Sequence, residues 1–337
     1  MSIRAAPRKR RMLFGVVLAL IGIVYLVNAS WLAPQPVGRA TLMAHRGIHQ
    51  LYDREGIDRD SCTAMQMLPS TNAYLENTIP SMQASFEAGA DVLEIDIHPT
   101  KDNHFVVFHD WGLDCRTNGT GVTRDQSLAY LKSLDVGWGY TADKGKTYPF
   151  RGKGIGMMPS LAEVLKAFPR KRFLINFKSR WVKEADLLFA YLQANGIAID
   201  DRLMVYGGER PVERWKALNP NGFAFTKADV KRCTLDYAKF GWSTVVPDSC
   251  RNSVIAVPIT FRHLMWGWPN RFLQRMQAAG ATVIIFGEVE NDNGAPGITN
   301  PKHLAGIPRG FNGFIWTDAI ETIGPAWRSR ALDGRRL

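Results

Sequence analysis

The stretch Val92-Leu93-Glu94-Ile95-Asp96-Ile97-His98 places two carboxylates inside an apolar run that is rich in β-branched residues. Successive side chains of a strand point to opposite faces, so Glu94 and Asp96 share one face and the two isoleucines share the other. Two carboxylates buried together repel each other unless a cation lies between them, and oxygen ligands suit Mg²⁺ or Ca²⁺ better than zinc. The stretch therefore predicts a buried strand that carries a candidate site for a divalent cation.

Short runs of the same kind alternate with longer helical patterns along the chain. Most are continuously apolar, which is typical of parallel strands buried on both faces. Eight strand-and-helix units in about 300 residues fit a closed (β/α)8 TIM barrel better than an open doubly wound sheet. The candidate strands are Thr41–Ala44, Val92–Ile97, Phe173–Phe177, Leu203–Tyr206, Gly222–Thr226, Thr244–Val246, Thr282–Phe286 and Gly313–Trp316.

Two features interrupt this alternation. The run Phe105–Phe108 follows the second strand after the turn Lys101-Asp102-Asn103, so we expect it to form a hairpin with that strand. Two long stretches, His49–Leu75 and Thr117–Pro159, match neither pattern, and each follows the carboxyl end of a strand or hairpin. Barrel enzymes place their active-site loops at that end. We expect both stretches to border a site and the first to cover it.

The composition limits the class of protein. The chain has 337 residues, 46% of them apolar and 22% charged, which excludes collagen-like, disulfide-scaffold and wholly disordered chains. The net charge of +11 is uneven, because residues 1–39 contain six basic and no acidic residues. The remainder has 36 basic against 31 acidic residues, a charge of +5. This suits anionic ligands or an anionic membrane surface and is too weak to indicate nucleic acid as a partner.

The N-terminal segment resembles a membrane anchor. A basic cluster ends at Arg11 and is followed by the apolar stretch 12–32, which is long enough to cross the hydrocarbon layer of a bilayer. Basic residues before such a span predict that residues 1–11 stay in the cytoplasm. We therefore expect a transmembrane helix at 12–32, a linker at 33–38 and a periplasmic or extracellular domain at 39–337. The alternative is a signal peptide cleaved near Val27-Asn28-Ala29, which would yield a secreted protein.

Export affects how the four cysteines are interpreted. They lack the C-x-x-C spacing of a zinc finger, and an even number in an oxidising compartment indicates disulfides. Four cysteines allow three pairings, of which proximity in sequence favours Cys233 with Cys250, leaving Cys62 with Cys115. The alternative is four free thiols.

Polar residues that suit catalysis occur at the carboxyl ends of several predicted strands. Taken singly, each has an ordinary explanation: a structural histidine, an aspartate that caps a turn (the interpretation favoured for Asp110 and Asp318), or a lysine at a barrel rim. Their joint occurrence at one end of one barrel favours a site. The segments are Ala44-His45-Arg46-Gly47, Phe108-His109-Asp110, Asn176-Phe177-Lys178 and Thr317-Asp318.

Together with further motifs, these segments resemble the glycerophosphodiester phosphodiesterase family. The match in order and spacing is strong over residues 41–121 and weaker through residues 158–161, 173–178 and 313–318. The motifs are His45-Arg46-Gly47, Glu76-Asn77-Thr78, Ser81, Gly89-Ala90-Asp91, Glu94-Ile95-Asp96, Thr100-Lys101-Asp102, His109-Asp110 and Thr117-Asn118-Gly119. The resemblance implies a TIM barrel that hydrolyses glycerophosphodiesters to glycerol 3-phosphate and an alcohol with the help of Mg²⁺ or Ca²⁺.

The resemblance also implies roles for individual residues. These are general acid and base catalysis by His45 and His109, phosphate binding by Arg46 and Lys178, and metal binding by Glu94 and Asp96. The family commonly has a third acidic ligand where this chain has Asn176, which can offer only an uncharged amide oxygen. Glu288 is an alternative source of the missing charge.

Three functions remain open at this stage. The first is hydrolysis of glycerophosphodiesters. The second, suggested by the anchor, is a phospholipase D-like hydrolysis of lysophospholipids or membrane phospholipids. The third is a catalytically weak barrel that binds phospholipid headgroups. The alcohol, the metal and the oligomeric state are not determined by the sequence.

Overall fold

The computed structural model describes residues 8–58, 61–289 and 296–333. Part of the predicted cytoplasmic segment 1–11 therefore lies outside the described residues, as do positions 290–295 and 334–337 of the predicted domain. Eight parallel strands form a nearly closed barrel in the order β6-β5-β4-β2-β1-β9-β8-β7, and β3 pairs antiparallel with β2 as the predicted hairpin. The strands are β1 Thr41–His45, β2 Val92–Pro99, β3 Phe105–Val107, β4 Arg172–Phe177, β5 Leu203–Gly207, β6 Ala224–Thr226, β7 Val254–Pro258, β8 Thr282–Phe286 and β9 Phe314–Thr317.

Helices cover the outside of the barrel. Their starts follow local sequence signals, as at Ser160, whose side chain and that of Glu163 form a reciprocal capping box. The helices are α1 Arg8–Asn28, α2 Ile79–Ala88, α3 Leu128–Ser133, α4 Leu161–Ala167, α5 Lys183–Ala194, α6 Glu209–Leu218, α7 Lys227–Phe240, α8 Asn270–Ala278 and α9 Ile320–Asp333.

One predicted strand was wrong. Thr244–Val246 is a loop, in which Thr244 has a φ of +72° and Val245 is 63% exposed. A β-branched residue at positive φ cannot continue a strand. The strand at this place in the barrel is β7, which pairs with β8 from Val254 to Pro258.

The two long stretches fold together beside the barrel mouth. A short 3₁₀ helix at Thr63–Gln66 lies within the first stretch. Ala64 of this helix and Met67, which follows it, join an apolar cluster with Leu113, Leu134 and others. A disulfide joins Cys62 to Cys115, and a second joins Cys233 to Cys250. This is the pairing that proximity in sequence favours.

The helix α1 precedes the barrel and exposes its apolar side chains, among them Leu13, Leu20 and Ile23. Asn28 in its last turn accepts a hydrogen bond from Arg275 (2.8 Å) and donates one to the Trp242 carbonyl (2.9 Å). A search of the described residues finds no helix with the length and apolar character that a membrane span requires.

Candidate active site

Strand register brings the predicted metal ligands together at the carboxyl ends of the strands. Asp96 on β2 is the cross-strand neighbour of Asn176 on β4, which in turn neighbours Tyr206 on β5. His45, the last residue of β1, neighbours Glu94 on β2. Neighbours in parallel strands point to the same face of the sheet. All five side chains therefore meet in the barrel interior.

Asp96 is buried in a shell of donors and positive charges. Its carboxylate accepts hydrogen bonds from the amides of Asn176 (2.9 Å) and Asn77 (3.4 Å), and it pairs with Arg46 Nε (3.2 Å) and Lys178 Nζ (3.3 Å). Burial alone would raise the pKa of Asp96, but these cations together with His109 hold it well below its usual range. Asp96 is thus a permanent negative charge that also positions both predicted phosphate-binding residues.

At Glu94 the nearby cations do not offset the effect of burial on the pKa. It is fully buried, and Tyr206 donates one hydrogen bond to Oε1 (2.7 Å). The Oε2 atom has no hydrogen-bond partner within the part of the chain that the structure describes, and His45 Nε2 lies 3.8 Å away. Burial, reinforced by the charge of Asp96, raises the pKa of Glu94 to about 8. The charges of Arg46 and Lys178 and the hydrogen bond from Tyr206 lower this pKa but do not offset the effect of burial and of Asp96.

These oxygens fit a hard divalent cation. Asn176 Oδ1 is a second buried oxygen without a partner among the described residues, because the amide nitrogen of this side chain is the atom bonded to Asp96. Unpaired buried oxygens are costly in a folded protein unless an ion or water satisfies them. Glu94, Asp96 and Asn176 thus supply carboxylate and amide oxygens of the kind that Mg²⁺ or Ca²⁺ prefers. Glu288, the alternative, instead pairs with His303 (3.0 Å), and its side chain is 47% exposed.

His45 is oriented by a carboxylate from the other end of the chain. Its Nδ1 lies 2.7 Å from Asp318 Oδ1. Burial raises the pKa of Asp318, but His45 and other cationic groups outweigh that and hold it well below its usual range. An ionised carboxylate can only accept, so Nδ1 of His45 carries the proton. Burial, with the charge of Arg46, lowers the pKa of His45 to about 4, so its Nε2, which lies 3.8 Å from Glu94 Oε2, is unprotonated at neutral pH.

His109 repeats this arrangement with the adjacent residue. Its Nδ1 lies 2.7 Å from Asp110 Oδ1, and the pKa of Asp110 is held below its usual range because Arg116 and His109 outweigh burial. Burial, with the charges of Arg46 and Lys178, lowers the pKa of His109 to about 4. The interpretation of Asp110 and Asp318 as turn caps was therefore incomplete, because each carboxylate binds the ring of a predicted catalytic histidine.

The sequence analysis assigned no role to two residues of the site, Glu76 and Tyr206. Glu76 pairs with Arg46 (3.4 Å) and with Arg116 (3.2 Å), and Tyr206 bonds Glu94. The motif Glu76-Asn77-Thr78 was a usable signal for Glu76, whereas nothing in the sequence marked Tyr206.

A second group of potential ligands consists of His45, His49 and Asp318, whose donor atoms all lie within 4.8 Å of one another. Each of these side chains already has a hydrogen-bond partner: His45 Nδ1 contacts Asp318, His49 Nδ1 contacts the Gly47 carbonyl, and Asp318 accepts from the Gly297 amide. Hydrogen bonding explains this group. The unpaired oxygens of Glu94 and Asn176 are the stronger indication of a cation.

Comparison with known proteins shows similarity to one family. Residues 45–204 match the family model of the glycerophosphoryl diester phosphodiesterase family. The resemblance predicted from the motifs is confirmed over that part of the chain.

Individual relatives match shorter segments. A glycerophosphodiester phosphodiesterase of Caldanaerobacter subterraneus is 40% identical over 103 residues, which is 31% of this chain and 39% of that protein. One of Bacillus subtilis is 38% identical over 96 residues, 28% of this chain and 31% of its own. A human protein named lysophospholipase D GDPD1 is 35% identical over 109 residues, 31% of this chain and 32% of its own. The chain thus spans about a third of the length of these relatives.

Solved structures extend the likeness in fold to most of the chain. A glycerophosphodiester phosphodiesterase from Agrobacterium tumefaciens superposes with a TM-score of 0.56 at 17% identity, covering 86% of this chain and all of that one. An Oleispira antarctica phosphodiesterase, solved in complex with the product sn-glycerol-3-phosphate, gives 0.53 at 18% identity over 88% of this chain and 98% of that one. The predicted TIM barrel is confirmed.

Proposed function

We propose that this protein is a metal-dependent glycerophosphodiester phosphodiesterase that releases sn-glycerol 3-phosphate and an alcohol. The observation that carries the proposal is a pair of neutral imidazoles, each held by its own carboxylate, beside a buried acid pair with an unpaired oxygen. A hydrolase of phosphodiesters needs these elements: bases near a cation site and cations that bind phosphate. The match of residues 45–204 to the family supports the same reaction.

The cationic side chains of Arg46 and Lys178 bind the phosphate group of the substrate. Arg46 and Lys178 both lie against Asp96, at 3.2 and 3.3 Å, and their remaining N–H groups can donate to the phosphate oxygens. When bound by Glu94, Asp96 and Asn176, a divalent cation would supply Lewis-acid stabilisation of the negative charge that develops on the phosphoryl group. Because these groups are fixed before substrate arrives, they stabilise that charge without reorganising.

Proton transfer falls to the two histidines. One neutral imidazole accepts through Nε2 a proton of the water that attacks the phosphorus. As the bond from phosphorus to the leaving alcohol breaks, the other histidine, protonated beside the anionic substrate, donates a proton to the alkoxide oxygen. Asp318 and Asp110 keep Nδ1 as the donor atom and so point Nε2 of each ring away from its carboxylate. Each carboxylate also stabilises the imidazolium form.

The test is product analysis with purified protein. Glycerophosphocholine and glycerophosphoethanolamine are incubated with Mg²⁺ or Ca²⁺, and products are followed by phosphorus NMR. The proposal predicts accumulation of sn-glycerol 3-phosphate. Binding of these compounds without turnover under any cation would instead support the headgroup-binding barrel.

Hydrolysis of lysophospholipids is the second candidate. It is supported by the similarity to the human lysophospholipase D GDPD1 and by the exposed apolar helix α1. Turnover of lysophosphatidylcholine at least as fast as that of glycerophosphocholine would favour this substrate class. A strong preference for the soluble diester would contradict it.

We further propose that residues 12–32 anchor an exported barrel to a membrane. The exposed apolar side chains of α1, the exposed Trp31 that follows it and the two disulfides support this location. The full-length chain should remain with the membrane fraction after an alkaline carbonate wash. A mature protein that begins near Ser30 would show that the segment is a cleaved signal peptide.

A further inference from the structure

Arg116 is a buried residue that contacts carboxylates belonging to two parts of the candidate site. Its guanidinium is buried, with Nη1 bonded to Asp110 Oδ2 (2.9 Å) and Nη2 bonded to Glu76 Oε2 (3.2 Å). Asp110 holds the ring of His109, and Glu76 holds Arg46 (3.4 Å). One guanidinium therefore fixes the partner of a proposed acid–base residue and the partner of a proposed phosphate-binding residue.

Two further acceptors contact this guanidinium. Nη1 lies 3.5 Å from Cys115 Sγ, and the other acceptor belongs to the stretch His49–Leu75. Arg116 Nη2 also donates to Thr63 Oγ1 (2.7 Å). Thr63 follows Cys62 and Arg116 follows Cys115, and these two cysteines form a disulfide. The covalent bond and the hydrogen bond are thus formed by adjacent residues of the same two segments.

The same two segments are also held by packing. Ala64 and Met67 from the first stretch and Leu113 from the loop after β3 belong to one apolar cluster. A guanidinium has five donors in a fixed planar fork, so its four acceptors must be placed accurately for all of them to be bonded. A disulfide beside the fork restricts how far the two segments can move apart.

We propose that Arg116, clamped against Thr63 by the Cys62–Cys115 disulfide, is a positioning residue that sets the orientation of His109 and Arg46 for phosphodiester hydrolysis. The stretch His49–Leu75 is on this account part of the catalytic support and not only a cover for the site. The inference rests on the proposed function, since it assigns a role within that reaction.

The matched comparison uses the two disulfides of the chain. In Cys62→Ser/Cys115→Ser the clamp is removed. In Cys233→Ser/Cys250→Ser the bond lost joins α7 to the 3₁₀ helix Asp248–Cys250, and none of its residues belongs to the site described above. Both variants are assayed on glycerophosphocholine at a temperature where circular dichroism shows them folded. We expect kcat to fall about 10-fold and KM to rise in the first variant, because His109 and Arg46 both lose support, and both constants to remain at the wild-type value in the second.

Substitutions at Arg116 test the connection directly. Arg116→Met should lower kcat by about 10–100-fold. Because Arg116 acts through Asp110, adding Asp110→Asn to Arg116→Met should lower kcat by less than the product of the two single effects. Thr63→Val should lower kcat, but less than Arg116→Met does. Thr63→Ser keeps the hydroxyl acceptor and should have the wild-type kcat.

A spectroscopic readout keeps the test independent of turnover. In ¹⁵N-labelled protein, the Nδ1 proton of His109, assigned by its loss in His109→Asn, should shift or disappear in Arg116→Met and in Cys62→Ser/Cys115→Ser. It should be unchanged in Cys233→Ser/Cys250→Ser. If wild-type protein hydrolyses no phosphodiester, the proposed function fails while this comparison still decides the positioning role. An unchanged resonance without the Cys62–Cys115 bond, or equal shifts in both disulfide variants, would overturn the inference.

Discussion

The two halves of the barrel interior differ in chemistry although they lie on the same strands. Toward the amino ends the interior is apolar, with Met43 on β1, Val92 on β2, Leu174 on β4 and Met204 on β5. Two residues further along, the same face of these strands carries His45, Glu94, Asn176 and Tyr206. On each of these strands, the packed core and the polar site are thus only two residues apart. The apolar half holds the strands in the register that brings the polar side chains together.

The largest expected effect is a loss of kcat caused by substitutions in the polar half of the barrel interior. His45→Ala and His109→Ala should each lower kcat by about 10²–10⁴-fold with the fold intact, because each removes one of the two proposed proton-transfer groups. Turnover of glycerophosphocholine and circular dichroism of the same samples provide the measurement. Near-normal turnover in either variant would remove that histidine from the mechanism.

The free energy of unfolding should depend more on the apolar half of the barrel interior than on the polar half. Met204→Ala removes a fully buried side chain and should lower the free energy of unfolding by about 2–5 kcal/mol. Two residues along β5, Tyr206→Phe keeps the ring and removes only the hydroxyl bonded to Glu94, at a cost of about 1–3 kcal/mol. Urea denaturation compares the two variants. A larger loss for Tyr206→Phe would mean that the polar half, and not the apolar half, holds the barrel together.

In the polar half, substituting the carboxylate partner of a histidine should lower kcat less than substituting the histidine itself. Asp318→Asn keeps the shape of the side chain but can donate to Nδ1 of His45, which favours the wrong tautomer. We expect kcat to fall about 10–100-fold, with KM nearly unchanged. A change confined to KM would assign Asp318 to substrate binding.

Glu94 should make stability depend on both pH and cation. Its pKa of about 8 lies above the usual value of 4.5, so without a cation its stabilising contribution is complete below pH 4.5 and is lost as the pH rises through 8. Added Mg²⁺ or Ca²⁺ should therefore raise the melting temperature more at pH 8 than at pH 5. Glu94→Gln, which does not titrate, should abolish this pH dependence. Equal shifts at both pH values in the wild type would argue against cation binding at Glu94.

The smallest expected change concerns the missing acidic ligand. Asn176→Glu adds a carboxylate beside Glu94 and Asp96 and should tighten binding of Mg²⁺ or Ca²⁺ by about 10-fold in calorimetric titrations, since charged oxygens bind hard cations more strongly. An unchanged or weaker affinity would place Asn176 outside the metal shell.

The sequence predicted the features that depend on local pattern. The alternation in Val92–Pro99 identified the buried strand and its same-face carboxylates, and runs of apolar residues located seven of the eight barrel strands. The strand β7 was missed because Thr244–Val246, equally rich in β-branched residues, precedes it closely. Only the positive φ of Thr244 and the pairing of β7 with β8 distinguish the two.

Contacts between distant segments could not be predicted in the same way. Asp318 reaches His45 across 273 positions because barrel closure pairs β9 with β1, placing Thr317 beside Ala44. Arg116 reaches Thr63 only because two irregular stretches fold onto each other. Neither partner is visible from spacing or periodicity, since both depend on the closed barrel and its loops.

The most direct test of the central claim is the cation dependence of hydrolysis by the wild-type protein. Release of sn-glycerol 3-phosphate from glycerophosphocholine is measured with Mg²⁺ or Ca²⁺, after chelation, and after the cation is restored. The proposed site predicts turnover that disappears on chelation and returns with the cation in wild-type protein, and that stays absent in Glu94→Gln. Turnover that survives chelation, or that is unaffected by Glu94→Gln, would contradict it.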